Sequence, residues 1–373
     1  MQPVALESLP FVGAVEVEEG PAGLVLHRLP AWARAQTTEP TLGLIETMPA
    51  GVRLRGRTAA SELELDVDLT VVQVLDKDPV PAVFDVVVDG QPVSSVSSTD
   101  GTRIVISGPG DFDIVPGATT TIRLDLPGDP DPVVEVWLPH AATVAVRAAR
   151  LSDGATLTPV APAGRRWIHY GSSISHCLEA RRPTETWPNA VALRAGLDLL
   201  NLGFGGQCML DQFVARTIRD AAADVITLKV GINIVNADSF RERTFVPALH
   251  GFLDTVREGH PDTPILLVTP IICPSAEDAP GPTLPRPDGS YSTVPRPADL
   301  STGSLSLRRI RELIAGVVAQ RDDKQLQLLD GLSLFGEGDV ADLYDALHPT
   351  AEGYLRMADR FHAQVFADGG LLA

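Results

Sequence analysis

Leu63, Leu65, Val67 and Leu69 alternate with Glu62, Glu64, Asp66 and Asp68. A period of two with one apolar and one charged face predicts a half-buried strand. Further strands are predicted at 84–88, 102–107, 121–126, 133–138 and 143–148. Turn signals separate them: Asp89-Gly90, Asp100-Gly101, Gly108-Pro109-Gly110, Pro116-Gly117 and Pro127-Gly128-Asp129-Pro130. Short strands at this spacing, without helical runs between them, predict an all-β antiparallel sandwich of jelly-roll type over residues 1–155. A junction rich in Pro, Gly and Thr follows over 153–165, with 156–165 as the linker.

From 166 the pattern changes. Apolar runs at 166–170, 198–202, 225–230, 265–269 and 326–329 alternate with amphipathic stripes. Leu249, Phe252, Leu253 and Val256 form one stripe; Ile310, Leu313, Ile314, Val317 and Val318 form another, both at helical spacing. Strands alternating with such helices predict an α/β domain over 166–373, a parallel sheet covered on both faces. Ligands in these folds gather beyond the carboxyl ends of the strands, and Ser173, Gly206 and Asn233 each fall just after one. Residues 272–303 interrupt the alternation with seven prolines between Pro274 and Pro297. That density excludes helix and central strand, and leaves either a wall or lid beside a site or a plain excursion.

Composition narrows the classes. A length of 373 residues fits two domains, and a net charge of −18 argues against a nucleic-acid partner, which needs clustered Lys and Arg. No run of about 18 apolar residues is present, so no membrane span is expected. The N-terminal residues lack a basic segment followed by an apolar one, which gives the expectation of a cytoplasmic protein. Cys177, Cys208 and Cys273 come without a C-x-x-C or His-rich spacing, so they are expected to be buried thiols. Neither a metal nor a cofactor is expected.

The chemistry lies in four segments. Ile168-His169-Tyr170-Gly171-Ser172-Ser173-Ile174 puts a small-residue turn with serines directly after an apolar strand. Asp345-Ala346-Leu347-His348-Pro349 places a carboxylate and an imidazole on one turn of chain, where the first can orient the second. These are the parts of nucleophilic acyl transfer. Asn201-Leu202-Gly203-Phe204-Gly205-Gly206 and Gly231-Ile232-Asn233 supply candidate donors for a developing oxyanion. Other catalytic patterns are absent. No G-x-S-x-G surrounds Ser173 or Ser333, no Ser-x-x-Lys or H-E-x-x-H occurs, and the glycines form neither a P-loop nor a dinucleotide fingerprint.

Four such pieces in this order resemble the SGNH (GDSL-type) hydrolase family over about residues 165–370. The resemblance implies a flavodoxin-like three-layer domain and assigns the roles. Gly171-Ser172-Ser173-Ile174 aligns with the family's Gly-Asp-Ser-Ile/Leu, making Ser173 the nucleophile, with Ser172 standing where the family has Asp. His348 would be the base and Asp345 its orienter, while the spacing of Asp342 does not fit. The backbone N–H groups of Ser173 and Gly206 and the side-chain amide of Asn233 would form the oxyanion hole, although Ile234 follows Asn233 where many members carry Asp. A sandwich ahead of such a domain resembles two-domain carbohydrate esterases, and Trp187 would be an aromatic substrate wall. His176, three residues past Ser173, is expected on a helix surface. The implied function is a serine esterase removing short-chain, chiefly acetyl, groups from a sugar or similar polar small molecule. An acyltransferase or thioesterase would use the same acyl-enzyme, and a non-catalytic carbohydrate-binding protein is the reading from another class.

Overall fold

The computed structural model describes residues 1–74, 77–108, 111–128, 132–152 and 154–373. The expected turns at 108–110 and 127–130, and junction residue 153, fall wholly or partly outside the described residues. The chain divides into two compact units: residues 1–164 with Arg181–Glu185, and Arg165–Ala180 with Thr186–Ala373.

The first unit opens with strands β1 (Gln2–Val4), β2 (Phe11–Val12), β3 (Glu16–Gly20) and β4 (Gly23–His27). Two short helices follow, α1 (Ala31–Arg34) and α2 (Pro40–Glu46). Then come β5 (Arg53–Arg57), β6 (Glu62–Val74), β7 (Ala82–Val88), β8 (Gln91–Ser98) and β9 (Thr102–Gly108). The unit ends with β10 (Asp111–Val115), β11 (Thr120–Asp125), β12 (Val133–Trp137), β13 (Ala142–Leu151) and β14 (Thr158–Pro159). One sheet runs β10-β9-β6-β13-β4-β3, with β1 on β13 and β11 on β6; the other runs β14-β5-β12-β7-β8, with β2 on β5.

The alternation read at 62–69 continues to Val71. Leu63, Leu65, Val67, Leu69 and Val71 are all buried against residues such as Phe84, Val86, Leu124, Val136 and Val144. On the wet face Arg150 bridges Glu64 and Asp66, and Arg147 holds Asp68. Three expectations need correction. The sandwich is not purely antiparallel, because β6 and β9 pair in parallel. The chain leaves the first sheet after β6 to build the β7–β8 hairpin in the second, and returns as β9 running with β6. Second, helices α1 and α2 are present. Pro40 starts α2, Glu39 accepts from the Thr41 N–H at 3.1 Å, and Leu42 and Ile45 bury one side. Third, part of the presumed linker is strand, since Thr158–Pro159 pairs with Arg57 and Gly56 at the sheet edge.

The second unit contains β15 (Arg166–Gly171), α3 (Ser173–His176), α4 (Trp187–Ala195), β16 (Asp198–Gly203), α5 (Gln212–Asp220), β17 (Val225–Lys229) and α6 (Ile232–Asn236). After these come α7 (Glu242–Gly259), β18 (Ile265–Val268), β19 (Thr283–Pro285), β20 (Tyr291–Thr293), α8 (Leu307–Gln320), β21 (Leu326–Leu329) and α9 (Ala351–Val365). The five-stranded sheet has the order β16-β15-β17-β18-β21 and is parallel throughout. Every residue of β17 and β18 is buried, as a strand covered on both faces requires. Alternate residues of β15 meet different helices. Trp167 stacks on Phe361 of α9 and lies beside Trp187 of α4, whereas Tyr170 stacks on Phe252 of α7. These are the three layers of a flavodoxin-like α/β domain. No helix among the described residues is long and apolar enough to cross a membrane.

Candidate active site

The first three strands of the sheet end level with one another. Gly171 of β15 is in register with Gly203 of β16 and with Lys229 of β17. Beyond these ends lie Ser173, Gly206 and Asn233 in turn. The turn into α3 is tight enough to demand glycine. A Cβ on Gly171 would sit 2.2 Å from Ser175 Oγ, and one on Gly203 would sit 2.7 Å from the His176 amide nitrogen. Beneath it, His169 hydrogen-bonds Thr227 Oγ1 at 2.7 Å and Ser175 Oγ at 2.8 Å, tying two strands to the one-turn helix. Burial, and then the charge of Lys229, hold His169 down to about 3, so this imidazole is a neutral structural group.

The two serines differ in what they touch. Ser172 is buried and its Oγ accepts from the Ile174 N–H at 3.3 Å, capping α3. Ser173, the next residue, has Oγ 2.9 Å from His348 Nε2. Asp345 builds the turn that delivers the histidine. Its Oδ1 accepts from the backbone N–H groups of Leu347 (3.0 Å) and His348 (2.7 Å), around Ala346 at a left-handed φ of 69°. Its Oδ2 lies 2.7 Å from His348 Nδ1. A carboxylate only accepts, so Nδ1 carries the proton and Nε2 presents its lone pair to Ser173. Burial pushes the Asp345 carboxyl up, but its bonds from His348 and Leu347 outweigh this and leave it below the usual value. Asp342 is occupied elsewhere, bound by Arg356 at 2.6 Å.

Asn233 is buried, and its Oδ1 accepts from the Cys208 N–H at 3.1 Å. Pinning the carbonyl end fixes which end of the amide is the donor. It also ties the α6 turn to the loop of Gly206, which is exposed with φ at 73°. Cys177, Cys208 and Cys273 are buried and unpaired, and burial pushes the Cys208 thiol up to about 12.

Trp187 is placed differently from its expected role as a substrate wall. The side chain is fully buried; its indole N–H donates to Ile174 O at 2.7 Å, and its ring packs on His169 and Phe361. With its polar atom consumed and its faces covered, it props α3 from behind. Trp187→Ala is therefore expected to cost about 3–5 kcal/mol of stability. A drop in the denaturation midpoint is the check, and an unchanged midpoint would return the residue to the surface of the site. His176 is likewise buried rather than on a helix surface, because the single turn of α3 lies flat on β16 at Gly203.

Three residues near His348 had no motif to announce them. The 272–303 stretch forms the β19–β20 hairpin, whose Tyr291 N–H donates to Asp345 O at 2.8 Å. The Tyr291 ring stands edge-on to the imidazole at 5.7 Å, so the segment forms a wall of the site. Glu179 Oε1 lies 3.7 Å from His348 Nδ1, and Tyr354 Oη donates to Glu179 Oε2 at 2.8 Å. Glu179, Asp345 and His348 offer ligand atoms within 4.8 Å of one another, the spacing of a possible metal group, although Nδ1 is already bonded to Asp345.

A parallel sheet of this order, with a serine after its first strand and Asp-x-x-His before its last helix, is the arrangement that the resemblance to the SGNH (GDSL-type) hydrolases implies. Residues 165–275 match the model of the GDSL-like Lipase/Acylhydrolase family. The whole chain is similar to a salicylyl-acyltransferase, SsfX3, from a tetracycline biosynthetic pathway. That likeness has 27% identity, covers 98% of this chain and 96% of that one, and gives a TM-score of 0.79. A Bacteroides ovatus protein assigned to the GDSL-like lipases shares the fold at 21% identity, 97% and 96% coverage and a TM-score of 0.69. A family two carbohydrate esterase from Cellvibrio japonicus does so at 14%, 97% and 96%, and 0.58. No curated protein matches the chain.

Proposed function

We propose that this chain is a serine esterase that removes short acyl groups, chiefly acetyl, from a carbohydrate or similar polar small molecule through an acyl-enzyme on Ser173. The observation that carries the reading is the unbroken relay from Ser173 Oγ through His348 to Asp345. Ser173 attacks the ester carbonyl as its proton passes to His348 Nε2, and the imidazolium returns that proton to the departing alkoxide. Water then repeats the sequence. Turnover of p-nitrophenyl acetate in preference to the octanoate is the expected result; preference for octanoate, or none at any length, would contradict the substrate class.

The second reading is an acyltransferase, favoured by the full-length likeness to SsfX3 at 27% identity. Water and an acceptor alcohol meet the same intermediate, so product analysis with a polyol separates the two. Free acid alone supports the esterase, and a transferred ester supports the acyltransferase.

Ser173 N, Gly206 N and the Asn233 amide are the proposed oxyanion donors. Asn233→Ala is expected to lower kcat on the order of a hundredfold or more with little change in KM, because the bond strengthens only as the carbonyl oxygen becomes an anion. A rise in KM alone would make Asn233 a substrate-binding residue.

The pH dependence follows from His348. Burial pushes its pKa down, but the carboxylates of Glu179 and Asp345 more than compensate and leave it raised. The base works only when neutral, so a raised pKa moves the loss of activity to higher pH. The acid limb of kcat/KM is expected to have its midpoint above the ordinary imidazole value of about 6.5. A midpoint below that value would contradict the assignment.

A further inference from the structure

His348 faces two carboxylates. Asp345 comes from its own turn and holds Nδ1–H at 2.7 Å; Glu179 approaches the same nitrogen to 3.7 Å from the turn after α3. The second distance exceeds a hydrogen bond, so Glu179 acts on the ring by charge. Its place is built by two features of the chain. Helix α3 ends at Cys177 in the left-handed region, with φ at 62°, and the chain then turns so that Glu179 lies beside His348. The buried Tyr354, on the helix that follows His348, then holds the other carboxylate oxygen. Among the described residues the imidazole also meets Ser173 on Nε2 and the ring of Tyr291.

We infer that Glu179 is a positioning residue for the base: clamped by Tyr354, its negative charge favours the imidazolium that forms when Ser173 gives up its proton. The inference rests on the acyl-enzyme reading. The arrangement makes His348 a stronger base than Asp345 alone would.

Two measurements on the full chain test this. NMR titration of the His348 ring in a Ser173→Ala background, with and without Glu179→Gln, reads the base without turnover. The pH profile of p-nitrophenyl acetate hydrolysis by Glu179→Gln reads it in action. Removing the charge is expected to move both midpoints to lower pH and to drop the alkaline plateau of kcat on the order of tenfold, with KM unchanged. Glu179→Asp should recover part of both effects. Tyr354→Phe, which keeps the charge but frees it, should shift the midpoint the same way by less, and it carries the test if Glu179→Gln does not fold. A fall in activity with both midpoints unmoved would overturn the inference and leave Glu179 a packing residue. Full activity in Ser173→Ala would instead overturn the acyl-enzyme reading, and this inference with it.

Discussion

Replacing Ser173 with alanine is expected to cut ester turnover by about 10⁵- to 10⁶-fold while the fold stays intact. In the proposed mechanism the hydroxyl is the reacting part of the side chain. Its Oγ hydrogen-bonds His348 at the partly exposed start of a one-turn helix. Nothing in the packing of α3 depends on it, because Ser172 provides the cap and Trp187 and His169 provide the support. Ser172→Ala removes that cap and is expected to cost about 0.5–2 kcal/mol of stability, with a far smaller loss of rate. The reverse pattern, with Ser172→Ala inactive and Ser173→Ala active, would move the nucleophile by one residue.

His348→Ala is expected to be about as severe as Ser173→Ala, and the double variant no worse than either alone, because the two side chains act as one unit. Without the imidazole the hydroxyl loses the acceptor for its proton, and Glu179 and Asp345 lose the ring nitrogen that both approach. Asp345→Asn should cost less, on the order of 10⁴-fold, since a base remains but in the wrong tautomer. The Asp345 carboxylate also holds two backbone N–H groups of its turn. Part of that loss should therefore appear as disorder of the His348 loop. Strict additivity of Ser173→Ala and His348→Ala would show that the two do not share a step.

How far the sequence spoke for itself depended on whether a signal was local. The strands of the parallel sheet are short apolar runs bounded by turn residues, and 326–329 and the start of 166–170 coincide with β21 and β15. Burial on both faces makes such runs conspicuous. The outer strands of the sandwich lack that mark. β8 is Ser-rich with Val93 exposed, and β10 is exposed along its whole length, so neither carries a buried face to read. In the site, Ser173 and His348 sit in recognisable spacing because turn geometry fixes which residues can precede and follow them. Trp187 carries no such local mark. An indole near a nucleophile in sequence can face the substrate or the core, and only the carbonyl of Ile174 and the ring of Phe361 decide it. Glu179 and Tyr354 meet across 175 residues of chain, a contact with no local pattern at all.

The proposed mechanism turns on a covalent intermediate on Ser173. Rapid quenching of the full-length chain during turnover of p-nitrophenyl acetate, followed by peptide mapping by mass spectrometry, tests it most directly. The expected result is an acetyl group on the peptide containing Ser172 and Ser173, carried by Ser173, absent from Ser173→Ala and accompanied by a burst of nitrophenol stoichiometric with enzyme. An acetyl group on Ser172 or another residue, or full steady turnover with no adduct and no burst in an enzyme whose deacylation is slow, would contradict it.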